Sequence, residues 1–143
     1  MANERYIRWQ GLGIAQLSVA VALISGFSVA GLGAGLSLLQ NDTFKLAAPF
    51  NYAFAASLIL FFASSFSSFG AVITRLLDFR LTARKVRKDD SKDYDKPLII
   101  FCRDADEYGR ATWRLFWASC LCFSIGACLL VSSIGSAYVH RLL

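Results

Sequence analysis

The residues best able to do chemistry are few in this sequence, and their spacing works against it. There is one histidine, His140, and there are four cysteines: Cys102, Cys120, Cys122 and Cys128. Nucleophilic catalysis needs a base within hydrogen-bond reach of a serine or thiol. With His140 at the far edge of the last apolar run, no Ser-His-Asp or Cys-His set can be assembled. Cys120-x-Cys122 turns its two thiols to different sides of a helix and brings no histidine with them, so no zinc site is expected. Asp104-Ala105-Asp106-Glu107-Tyr108-Gly109 half-matches a calcium loop. Tyr108 stands where Asp or Asn is needed, however, and the twelfth position is Leu115 instead of Glu. Gly11-Leu12-Gly13 and Gly31-Leu32-Gly33 lack the third glycine and the strand–helix setting of a dinucleotide loop. The expectation is a protein that is not an enzyme and uses no metal or cofactor.

The pattern that does stand out is physical. Small residues recur at every fourth position: Ser18, Ala22, Gly26, Ala30 and Ala34; then Ala63, Ser67 and Ala71; then Cys120, Ser124, Cys128, Ser132 and Ser136. On helices in lipid, such stripes let backbones approach closely where the hydrophobic effect offers little drive to associate. They are read first as packing for the chain's own helices. The sharper reading gives one stripe, on the first helix, to a homo-oligomer interface. Serines are dense in the same regions: Ser57, Ser64, Ser65, Ser67 and Ser68, then Ser119, Ser124, Ser132, Ser133 and Ser136. They either bond within and between helices or, in a ring of copies, line a narrow wet pore. The first use is favoured. The cysteines are read as small packing residues.

These residues are carried by elements that the charge pattern defines. Residues 9–41, 46–74 and 115–139 contain no Asp, Glu, Lys or Arg. Each run exceeds the ~20 residues that cross a bilayer, and a soluble domain this small cannot bury three of them. Charged residues are 17% of the chain and hydrophobic ones 56%, which excludes a soluble enzyme, a soluble nucleic-acid binder or a disordered tail. The fold class expected is all-α integral membrane, a single domain with spans over about 10–39, 47–74 and 115–139. The first run is too long for a cleaved signal peptide and reads as a signal anchor. No Asp, Glu, Lys, Arg or His lies within a span, which counts against a pump or ion-coupled transporter.

Lys and Arg set the orientation. Arg5 and Arg8 precede span one, Lys45 alone lies between spans one and two, eleven lie in 75–114, and Arg141 follows span three. The N-terminus and the 75–114 loop are therefore expected in the cytoplasm. Tyr6, Trp9, Trp113, Phe116 and Trp117 form an aromatic belt on that side. Within the loop, Leu76, Phe79, Ala83 and Val86 make a short heptad seam, which extends span two by one to three helical turns. Residues 88–96 read as a turn ending at Pro97, and 98–113 as a second helix, giving a helical cytoplasmic hairpin. Its basic face, Arg80, Arg84, Lys85, Arg87 and Lys88, is a topology signal and a candidate contact for lipid head groups or a partner. Nucleic acid is not expected, because Asp89, Asp90, Asp93 and Asp95 follow at once.

Leu77–Lys88 (LDFRLTARKVRK) and Gly109–Trp117 (GRATWRLFW) resemble segments of small uncharacterised bacterial inner-membrane proteins. The layout of a few spans with a basic cytoplasmic helix is also distantly similar to the SLATT membrane effectors of bacterial conflict systems. That likeness implies membrane perforation triggered by a partner sensor, although this chain has a third span and shares no defining motif. Two functions are carried forward. One is a self-associating membrane effector or pore subunit, in bacterial defence or toxin–immunity. The other is a non-catalytic accessory subunit of a larger membrane complex. The partners expected are the lipid bilayer and either further copies or another membrane protein.

Overall fold

The computed structural model describes residues 2–41, 50–91 and 105–142, with the side chains of 15–41, 50–81 and 107–138. Three helices follow one another: α1 (Ala2–Leu39), α2 (Phe50–Ser91) and α3 (Ala105–Leu142). An apolar run that must satisfy every backbone N–H and C=O within itself winds into a helix. At the end of α1, the Asn41 amide donates to the Leu38 carbonyl at 3.2 Å. Each helix holds a stretch long and apolar enough to cross a membrane: Ala15–Leu39, Phe50–Leu81 and Glu107–Tyr138. That is the build of an integral membrane protein.

The segment between the second and third spans differs from expectation in its detail. α2 runs on past Thr74 to Ser91, farther than one to three turns, and takes in residues 88–91 that read as a turn. Nothing in Arg75–Ser91 breaks a helix, so the register simply continues. On the other side, α3 is continuous from Ala105 into the apolar stretch, straight through Gly109. The stretch 92–104, with Cys102 and most of the expected turn in it, and the 42–49 connection lie outside the described residues.

α2 packs most extensively on α3 and less on α1, while α1 and α3 touch least. Most buried positions among the described residues repeat by sevens. On α1 they are Val21, Ser28 and Gly35; on α2, Phe54, Ser57, Phe61, Ser64, Ser68 and Ala71; on α3, Thr112, Ser119, Gly126 and Ser133, with Leu81, Tyr108 and Leu130 buried beside these rows. A seven-residue repeat keeps one face of each helix toward its neighbour in a left-handed, near-antiparallel bundle. Small side chains occupy most of these positions, and aromatic knobs fill the space opposite. The Phe61 ring lies against Gly31, where a Cβ would come within 3.0 Å of it. Gly126 brings α3 onto Leu60 and the Ser57 carbonyl of α2. Phe54, Phe61 and Leu130 form the apolar centre, joined by Leu32, Leu58 and Phe123.

Candidate functional site

The centre of the bundle is polar as well as close-packed. Ser28, Ser57, Ser64, Ser119 and Ser133 are each 0% exposed. Ser64 on α2 donates to the Ser119 carbonyl of α3 at 2.9 Å. With that proton committed, Ser64 Oγ accepts from Ser28 of α1, also at 2.9 Å. Ser28 divides its single proton between Ser64 and its own Ile24 carbonyl, 2.7 Å away. One hydroxyl thus ties three helices together. A second tie lies about three turns along, where Thr74 of α2 meets Thr112 of α3 at 2.9 Å. Each hydroxyl also bonds back to its own helix, Thr112 to the Tyr108 carbonyl and Thr74 to the Gly70 and Ala71 carbonyls, so each shares its single proton between its own helix and the tie. Interhelical bonds of this kind contribute about 0.6 kcal/mol on average in lipid. Their larger effect is on register, since a shift of one residue breaks both ties.

Not every buried hydroxyl is served. The Oγ atoms of Ser65 and Ser68 are buried and lack a hydrogen-bond partner among the described residues. Ser57, Ser119 and Ser133 instead bond back to carbonyls of their own helices, Phe54, Phe116 and Leu129. The span-two serines that could have lined a pore therefore sit largely inside the single chain: Ser57, Ser64 and Ser68 are buried, and Ser65 and Ser67 half-buried.

The four-residue stripes fall elsewhere. On α1, Ser18, Ala22, Gly26, Ala30 and Ala34 are all exposed, and nothing lies within 4 Å of where a Gly26 Cβ would stand. At 100° per residue, Gly26 points about 160° away from the mean direction of Val21, Ser28 and Gly35. From Ala22 to Ala34 the stripe is the back of the helix, while Ser18 at its start lies beside α2. It is bordered by a ridge of large exposed residues, Val19, Leu23 and Phe27, each 55–60% exposed. On α3, Ser124, Cys128 and Ser132 are exposed, while Cys120 and Ser136 are half-buried. Only α2's stripe turns inward, with Ala71 buried and Ala63 and Ser67 half-buried. The inward seven-residue seam went unread in the sequence. Its signal was there in the spacing of Thr112, Ser119, Gly126 and Ser133, but the four-residue repeat shares the same helices and masks it.

The helix ties align the three charge-free runs. Pairing Ser28 with Ser64, and Ser64 with Ser119, makes those runs overlap over roughly 18 residues, a slab of about 27 Å at the helical rise. That matches a hydrocarbon core of ~30 Å. Trp113 and Trp117 stand exposed at one edge, in edge-on contact with Phe116 between them, and Tyr52 is exposed at the other. Beyond the tryptophan edge lies a basic end with Arg75, Arg80, Arg110 and Arg114. Arg80 is exposed, and Arg84, Lys85, Arg87 and Lys88 lie on the α2 extension with side chains outside the described ones. A cleft at this end is lined by Thr74, Glu107, Arg110, Ala111 and Arg114. On another side, an apolar groove opens between α1 and α2.

Among the described residues, no three metal-ligating side chains converge, and Cys120, Cys122 and Cys128 are free thiols. No protein-family model matches the chain, and no curated protein or solved structure is significantly similar to it.

Proposed function

We propose that this chain is a self-associating inner-membrane protein of bacteria that acts as an effector or pore subunit. The observation that carries the reading is the division of labour on α1. Its inward face, Val21, Ser28 and Gly35, already packs the bundle, yet a second face of small residues, Ala22, Gly26 and Ala30, stands exposed. A lipid-facing helix has no need of such a face, since any apolar side chain serves there. A stripe at four-residue spacing between larger ridges suits a second helix crossing right-handed at about −40°. In a closed ring of copies, the exposed Ser124 and Ser132 of α3 supply hydroxyls to face a lumen. The positive-inside rule puts the N-terminus and the basic α2 extension in the cytoplasm, where that extension, Arg80 to Lys88, meets lipid head groups or a partner that signals to the membrane part.

The test is the mass of the purified chain in nanodiscs, corrected for lipid. A single closed oligomer, lost in Gly26→Leu, is the expected result, and conductance in liposomes follows from it. A clean monomer overturns self-association and transfers the exposed stripe to a larger membrane complex of which this chain is an accessory subunit.

A further inference from the structure

The groove at the basic end is lined by Leu17, Ser18 and Val21 of α1, by Val72, Leu76 and Phe79 of α2, and at its floor by Ala71 and Thr112. One charge stands in this otherwise apolar lining, Arg75. Its position is unusual among the arginines of that end. Arg80, Arg110 and Arg114 are exposed, whereas Arg75 is half-buried. It continues the inward seam of Phe54, Phe61 and Ser68 by one more heptad step. Among the described residues it has no hydrogen bond or ion pair. The groove also sits just outside the charge-free slab, level with exposed Trp113, where lipid phosphates and glycerol esters lie.

We infer that the groove binds one anionic phospholipid, with its phosphodiester on the Arg75 guanidinium and the first part of an acyl chain along Val21, Val72 and Leu76. The volume, about 250 Å³, falls below that of a pocket enclosing a whole small ligand and suits part of one chain. A packing helix is too wide for it. The guanidinium fork matches phosphate oxygens in two-point geometry. A zwitterionic head group would add its own cation beside Arg75, so the site prefers lipids with a net negative charge. The inference stands whether or not the chain self-associates, because the groove lies within one copy.

The full-length chain in detergent is challenged with an equimolar mixture of dioleoyl phosphatidylglycerol and dioleoyl phosphatidylcholine, and retained lipid is counted by native mass spectrometry. One phosphatidylglycerol per chain is expected, preferred by about fivefold, the value of one basic residue at an anionic surface. Arg75→Gln, checked for helix content by circular dichroism, abolishes the preference. Arg80→Gln, outside the groove, preserves it. Ser18→Leu, at an exposed position, fills the groove and lowers retention of both lipids, so it decides the matter if Arg75→Gln does not fold. Millimolar inorganic phosphate leaves the bound lipid in place. Preference that survives in a folded Arg75→Gln, equal loss in Arg80→Gln, displacement by phosphate alone, or full lipid retention in Ser18→Leu each overturns the assignment.

Discussion

The two faces of α1 are built from the same kinds of residue and are used in opposite ways. Val21, Ser28 and Gly35 recur by sevens and lie against α2 and α3, while Ala22, Gly26, Ala30 and Ala34 recur by fours and face outward. The lesson is that smallness alone does not choose a contact. The period does, because it sets the angle at which a facing helix can follow the stripe. A seven-residue repeat follows a partner crossing at about +20°, and a four-residue repeat follows one crossing with the opposite hand. One helix can therefore serve its own bundle and present a second surface without conflict.

The comparison breaks most visibly at the inward glycines. Gly126→Leu drives a side chain into Leu60 and the Ser57 carbonyl, where even a Cβ would stand at 3.3 Å. It should destabilise the fold by about 3 kcal/mol, read by reversible unfolding in mixed micelles. Next is the hydroxyl junction. Ser64→Ala removes the atom shared by Ser28 and Ser119 and should cost about 1 kcal/mol. A double-mutant cycle with Ser28→Ala should show that the two losses are not additive. Ser68→Ala, one turn away, should do the reverse. Its hydroxyl is buried without a partner among the described residues, so its removal should leave stability unchanged or raise it by about 0.5 kcal/mol. A loss as large as that of Ser64→Ala would mean that Ser68 has a partner in the membrane, such as a bound water. No loss to the fold is expected at Gly26→Leu. With nothing near its Cβ direction, and with leucine the better helix former, the single chain should gain about 0.5 kcal/mol. The same substitution should remove oligomers in nanodiscs, and that contrast separates the two faces.

Much of the fold was legible. Three charge-free runs, with proline only at Pro49 and Pro97, announce three helices, because the cost of an unpaired backbone group or a charge in lipid acts locally. The helix lengths were less legible. Arg75–Ser91 carries both signs of charge but no breaker, and α2 continues through it. For the candidate sites, the stripe on α1 was visible and its direction was not. Arg75 looked like one more residue of a basic loop, since nothing local marks the first charge after a span as half-buried.

The sequence by itself determined three helices, the stretches of each that suit a bilayer, and the basic end that they share. Each of those follows from interactions of a segment with its solvent. Only the tertiary structure decided which small residues face inward, that Ser64 is bonded while Ser68 is not, and that Arg75 sits in an apolar groove. Those outcomes depend on the register between helices, where displacement by a single residue brings a different face, and a different set of partners, into contact.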